Sequence, residues 1–271
     1  MNLRKLMKKI ILGGSILTLG ISLVGCSNKS SQGTLDKNTL IVGIDDAFAP
    51  LGFKDESGEI IGFDIDLAKE LAKRINKEIS FQPIDWTMKE SELKSGNIDL
   101  IWNGYTITDE RKNKVDFSVP YLKNKQLIVT LADSDINSKS NLANKKVGAQ
   151  SESSAVAAME KESNLYNSFK GGCAITFEDN NQALMDLEAG RLDAVVADEI
   201  LVRYYLILKG EDKFKILDDN FGEEEYGVGI RKGDTEMVDA FNKAYKEMQE
   251  DGTLQEISEK WFNKDITIKV E

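Results

Sequence analysis

Trp102-Asn103-Gly104-Tyr105-Thr106-Ile107-Thr108-Asp109-Glu110-Arg111-Lys112-Asn113-Lys114-Val115-Asp116-Phe117-Ser118-Val119-Pro120-Tyr121 carries most of what this chain says about itself. Residues 98–102 read as an apolar strand running into a small-residue turn at Gly104. A hydroxyl follows at Thr106, then a short segment that opens at Thr108 and carries Arg111. That order gathers open backbone N–H groups, a hydroxyl and a guanidinium at the C-terminal end of a strand. In open α/β sheets that end is where ligands bind. A planar guanidinium beside N–H donors suits a carboxylate, because it can hold both oxygens at once.

Working outward, strand-like runs at 40–44, 98–102, 127–131, 146–149, 194–197 and 226–230 alternate with amphipathic helical runs at 62–75, 180–189, 199–209 and 235–250. In the first helix, Ile65, Leu67, Ala68, Leu71, Ala72 and Ile75 form an apolar face. Asp64, Asp66, Lys69, Glu70, Lys73 and Arg74 fall largely elsewhere. Such alternation implies an α/β architecture.

Residues 93–101 (LKSGNIDLI) echo residues 187–195 (LEAGRLDAV) at the Leu, Gly, apolar and Asp positions. Each reads as a helix end, a Gly cap and an Asp entering a buried strand. Two lobes with similar units follow. The echo also predicts geometry. One strand leads to Asn103-Gly104-Tyr105-Thr106 and the other to Ala197-Asp198, so facing lobes would set Arg111 and Thr106 against Asp198. A cation and an anion across a short gap are what a zwitterion requires. The alternative is that Gly-x-apolar-Asp is simply a common helix-to-strand junction.

The ends bound the compartment. Arg4, Lys5, Lys8 and Lys9 precede an apolar run at 10–24, the layout of a signal peptide and short for a membrane span. Residues 27–37 are rich in Ser, Asn, Gly and Lys and read as a flexible tether. The chain holds 35 basic and 46 acidic side chains, and residues 1–25 hold four of the basic ones and no acid, so −15 remains beyond them. That balance argues against nucleic acid as a partner. There is no His, which removes the commonest general base and metal ligand. The two Cys are Cys26 and Cys173, and no CxxC, phosphate-loop or EF-hand pattern is present. Cys173 is read as a small buried residue or an idle thiol.

The stretch 102–121 closely resembles the signature of polar amino-acid-binding proteins of bacterial ABC importers. The resemblance extends over nearly all of residues 39–264. Its further carriers are Val42-Gly43-Ile44-Asp45-Asp46-Ala47-Phe48-Ala49-Pro50, Gly62-Phe63-Asp64-Ile65-Asp66-Leu67-Ala68, Asp116-Phe117-Ser118, Asp193-Ala194-Val195-Val196-Ala197-Asp198, and Asp251-Gly252-Thr253 with Lys260-Trp261-Phe262. It implies a type II periplasmic-binding-protein fold, two α/β lobes joined by two crossing strands near 121–125 and 222–226. The implied organisation is a signal peptide at 1–25, a tether at 26–38, a discontinuous first lobe at 39–123 and 224–271, and a second lobe at 124–223. Leu23-Val24-Gly25-Cys26 resembles a lipoprotein box, in which Cys26 would be lipidated and become the mature N-terminus. The alternative is an ordinary signal peptide with a chance Cys.

Carried over residue by residue, Arg111 resembles the clamp for a ligand α-carboxylate, and Gly104 and Thr106 its N–H and hydroxyl helpers. The alternative for Arg111 is a solvated helix charge. Ser153 and Ser154 open the helix-forming run 155–159, where a helix N-terminus serves both as a cap site and as an anion site. Glu152 departs from the family, in which Gly is common. Asp198 resembles the acid that pairs with the α-ammonium, a helix N-cap being its alternative. Phe48 and Trp86 resemble aromatic walls, unless they are plain core residues. Asp45 resembles a reader of the ligand's distal group, with Gln150 beside it. Glu223, Glu224 and Glu225 read as a solvated charge run. The function implied is a lipid-anchored, extracytoplasmic substrate-binding protein that closes two lobes on a polar or basic L-amino acid, or cystine. It would hand its ligand to a membrane permease and its ATPase, without cofactor, metal or catalysis. The rivals are an enzyme on the same fold, such as a dehydratase, and a receptor module, which would need a transmembrane helix beyond the binding fold.

Overall fold

A computed structural model describes residues 33–271. The signal segment and the lipidation reading at Cys26 lie outside the described residues. Within the expected tether, Thr34–Asp36 forms a 3-10 turn, and the Thr34 N–H donates to Asp234 at 3.1 Å.

Two five-stranded mixed sheets organise the chain. The first runs Glu78–Pro83, Thr39–Ile44, Leu100–Ile101, Gly229–Arg231, Val115–Phe117 in spatial order. Its first three strands are parallel, and Gly229–Arg231 is antiparallel to both of its neighbours. The second runs Ile175–Phe177, Val147–Gln150, Ala194–Asp198, Leu122–Leu131, Phe214–Tyr226, again parallel first and antiparallel last. A small antiparallel sheet of Ala47–Phe48, Gly52–Lys54 and Ile60–Ile61 lies beside the first. Two α/β lobes result. The long strands Leu122–Leu131 and Phe214–Tyr226 pair with each other, including Leu122 with Tyr226 and Lys125 with Glu223.

The sequence echo has a structural meaning. Gly96 and Gly190 both adopt left-handed φ, at 82° and 69°, at the ends of the helices Lys89–Ser95 and Asn180–Glu188. Asp99 then accepts from the Ile41 N–H at 3.0 Å, and Asp193 from the Lys146 N–H at 2.6 Å. Each Asp thus ties its strand entry to the neighbouring strand that opens its lobe.

Helices 199–209 and 235–250 have the bounds read from the sequence; 62–75 is shorter by a residue at each end and 180–189 by one at its C-terminal end. The run 226–230 is not one strand. It splits between Phe214–Tyr226 and Gly229–Arg231, so the chain leaves one sheet and joins the other there. Gly62, at φ 147°, caps Phe63–Arg74; a Cβ there would sit 2.1 Å from the Leu51 carbonyl oxygen. Asp64, placed with the polar face of that helix, is in fact fully buried. Cys173 is an exposed free thiol.

Candidate functional site

Each sheet sends the C-terminal ends of two parallel strands toward a common cavity. Thr39–Ile44 leads to Asp45, and Leu100–Ile101 to Asn103 and Gly104. Val147–Gln150 delivers Gln150 and, through a tight turn, Ser153 and Ser154; Ala194–Asp198 ends on Asp198. With Phe48, Trp86 and Arg111 these residues line one small, nearly closed cavity. The cavity therefore gathers nine of the ten residues read from the sequence. Thr106 lies just behind it, with its hydroxyl 3.0 Å from Ser154 Oγ. The sheet physics explains the placement: strand ends leave backbone and side-chain polar groups open where the two topologies face each other.

Arg111 is buried at 7 % exposure. Its guanidinium donates to the Thr106 carbonyl at 3.0 Å and to the Glu152 carbonyl at 3.4 Å, and stacks 4.5 Å from the Tyr105 ring. Thr108 caps its short helix by accepting from the Arg111 N–H at 3.1 Å. The fork is thus aimed by neutral carbonyls and an aromatic face rather than quenched by an acid, and N–H groups remain for an anion. Lys89, which sequence reasoning missed, is a second buried cation beside it. Its Nζ donates to the carbonyls of Trp86 at 2.9 Å and Glu152 at 3.2 Å. Burial, then the Arg111 charge, push its pKa down to about 8.

Ser153 caps the helix Ser154–Lys161, accepting from the Val156 N–H at 3.4 Å. Glu152 turns its side chain away from the site. Its side chain is exposed and outside the cavity; its residue takes a left-handed φ of 54°, and only its carbonyl faces the site. The N–H role for Gly104 is corrected. That N–H donates to Asp64 at 2.9 Å, and Asp64 also accepts from the Tyr121 hydroxyl at 2.8 Å. Gly104 matters through space: at φ 60° a Cβ would come within 3.0 Å of both Leu51 and Phe48. Burial pushes the Asp64 pKa up to about 7.

On the opposite wall Asp198 is buried and makes no capping bond to its own helix. Its Oδ1 accepts from Asn124 at 2.7 Å, Gln126 at 3.0 Å and the Tyr226 hydroxyl at 2.5 Å. Its pKa is pushed up to about 7, first by burial and second by Glu224. At the far end Asp45 accepts from Gln150 at 2.7 Å and from the Ala47 N–H at 3.0 Å. Burial raises its pKa to about 6 against those bonds. Phe48 and Trp86 are both cavity walls and members of the apolar cores behind it.

Sequence reasoning missed Asn103 and misplaced Glu224. Asn103 lines the cavity, and among the described residues neither atom of its side-chain amide has a partner. Glu224 is half-buried, and its Oε1 lies 2.9 Å from Thr106 Oγ1. Strand alternation held the signal for it, since the flanking Glu223 and Glu225 are exposed.

The chain is similar to several known binding proteins. The chain is 36 % identical over 258 residues to the L-cystine-binding protein TcyJ of Escherichia coli, covering 92 % of this chain and 94 % of that one. It is 34 % identical over 261 residues to the arginine-binding extracellular protein ArtP of Bacillus subtilis, covering 94 % and 98 %. Among solved structures, an ABC uptake transporter substrate-binding protein from Streptococcus pneumoniae with bound histidine superposes with a TM-score of 0.84 at 39 % identity, covering 87 % of this chain and 97 % of that one. These relatives are binding proteins by name, in line with a binder rather than a dehydratase. Residues 40–264 match a family described as bacterial extracellular solute-binding proteins, family 3, and the chain belongs to that family.

Proposed function

We propose that this protein captures a polar or cationic L-amino acid, or cystine, outside the cytoplasm and delivers it to an ABC permease and its ATPase. The observation that carries the reading is the facing of Arg111 and Asp198 across one cavity, a cation and an anion set for a zwitterion. The α-carboxylate would lie on the free N–H groups of Arg111 and at the helix N-terminus of Ser153 and Ser154. The α-ammonium would lie on Asp198 and near the Thr106 hydroxyl. The side chain would extend along Phe48 and Trp86 toward Asp45, Gln150 and the Asn103 amide. Relatives that bind cystine, arginine and histidine support the class.

The lobes would divide as 39–123 with 224–271 against 124–223, hinged at the paired strands near Leu122 and Tyr226, and ligand would favour closure because both walls hold it. A carboxylate at the far end disfavours an acidic side chain in a closed cleft. Arginine, lysine, histidine, glutamine and cystine should therefore outrank glutamate and aspartate. A thermal-shift screen of the mature domain against all L-amino acids and cystine tests this, since a ligand of the folded state raises the melting point by mass action. Glutamate or aspartate ranking first would refute the distal role of Asp45. No shift with any of them would refute the amino-acid reading.

The anchor would be a lipid on Cys26. A single acyl chain holds only marginally, so retention would need more than one. Cys26→Ala is expected to move the protein out of the membrane fraction or leave it unprocessed. A variant that partitions and migrates like the wild type would rule the anchor out.

A further inference from the structure

Glu224 comes from the return crossing strand, yet its Oε1 accepts from Asn124 Nδ2 at 2.7 Å and from Gln126 Nε2 at 2.8 Å. Those are the same two amides that donate to Asp198 Oδ1. The same Glu224 oxygen lies 2.9 Å from Thr106 Oγ1 and 3.3 Å from Ser154 Oγ. Two carboxylate oxygens thus crowd around shared donors, inside a ring of hydroxyls contributed by both lobes. Like charges so placed repel unless a proton or a cation joins them.

The surrounding charges do not fill that role. Arg111 is directed to the Thr106 and Glu152 carbonyls. Lys112, Lys123 and Lys125 share an outer groove with Glu224, together with Glu199, Glu223 and Glu225, and Lys125 is paired with Glu223 at 3.0 Å. Tyr226 offers only its hydroxyl, to Asp198. Among the described residues no cation stands within ion-pair distance of Glu224 or Asp198.

We infer that Glu224 is the second anion of the ligand's ammonium seat: Asp198 and Glu224 receive the cation jointly, and the hinge strand is thereby tied to the bound ligand. The inference rests on the amino-acid-binding reading above. Without ligand, a proton stays on Asp198, beside the Glu224 oxygen. The ammonium takes its place and keeps its own three protons, and the displaced proton leaves for solvent. The raised pKa of Asp198, to about 7, agrees with a proton held there near neutrality.

Calorimetry on the mature protein with L-arginine, L-histidine and L-cystine, at pH 8 and pH 6 and in two buffers of different ionisation enthalpy, tests this. One displaced proton with a pKa near 7 predicts about tenfold weaker binding at pH 6 than at pH 8, with proton release approaching one per ligand at pH 6. Glu224→Gln should weaken binding about tenfold at pH 8, less at pH 6, and shrink the proton release. Asp45→Asn should remove the share of the release that belongs to the distal carboxyl, and leave the share of the Asp198 and Glu224 pair. The buffer comparison needs only the wild type, so it stands even if a variant folds poorly. Binding by the wild type without proton release would overturn the inference. So would a Glu224→Gln effect equal at both pH values, which marks a purely structural hinge residue, or tighter binding at both, which marks an occluding carboxylate. If none of the amino acids binds, the amino-acid reading itself falls, and this inference with it.

Discussion

Arg111→Lys is expected to weaken ligand binding by about 2–5 kcal/mol, the usual loss when one side of a buried charged hydrogen-bond pair is removed. That corresponds to about one and a half to three and a half decades in Kd. The guanidinium is held by two carbonyls and the Tyr105 face while it keeps N–H groups free. A lysine carries a compact charge that cannot satisfy both carbonyls and also meet two carboxylate oxygens in one plane. The neighbouring Lys89 does not compensate, because its ammonium is already committed to the Trp86 and Glu152 carbonyls. The fold should survive, since the helix cap uses the Arg111 backbone and not its side chain. Titration calorimetry with a melting curve on the same sample separates the two effects. Affinity within about a factor of three of the wild type would remove the clamp role.

Acidification is expected to stabilise the ligand-free protein between about pH 7 and pH 5. Asp45, Asp64 and Asp198 have pKa values raised by burial, to about 6, about 7 and about 7. A carboxyl whose folded pKa lies above its unfolded value keeps a proton that the unfolded chain has already lost. Its contribution is complete below the unfolded value and is lost as pH rises through the folded one. Three such groups should together contribute about 2 kcal/mol or more over that window. Below about pH 4 the trend should reverse. Asp251, lowered to about 2 chiefly by its bonds from Thr253 and further by Arg74, then loses its charge, as do other paired surface acids. Urea titrations from about pH 2.5 to pH 8 measure the profile. A stability that rises steadily from pH 5 to pH 8 would show that these carboxyls are ionised in the folded protein. Bound ligand should flatten the upper part of the curve, because an ammonium replaces the proton at Asp198.

Much of this was legible because strand ends, caps and glycines are local signals. The stretch from Trp102 to Arg111 needs only a buried strand, a small turn and a capped helix to aim a guanidinium, and each leaves a mark within ten residues. The paired Asp99 and Asp193 were legible for the same reason. What escaped depends on distant partners. Asp64 looks like a first-turn helix acid until Gly104 and Tyr121, 40 and 57 residues away, bring it two donors. Lys89 sits at the start of a short polar helix; its Trp86 partner is local, but the Glu152 carbonyl comes from 63 residues away. Glu224 was hidden by its neighbours, since three successive acids suggest a solvated run. Reading them as a strand, with every second residue turned in, would have singled it out. Glu152 stood out as an acid beside an anion site, but the sequence could not show that its carbonyl is the part that faces Arg111.

That carbonyl belongs to a set of contacts made directly between the two lobes. Lys89 and Arg111 reach Glu152, Thr106 meets Ser154, Gln150 meets Asp45, and Asn181 donates to the Ala47 carbonyl at 2.9 Å. For a transporter this is a question of signal against background. A permease that senses only the closed shape responds to empty and loaded copies in proportion to how often each is shut. The built-in contacts set the rate of false alarms, and the ligand sets the excess above it. Strengthening them would sharpen apparent affinity while blurring the distinction between a delivery and an empty visit.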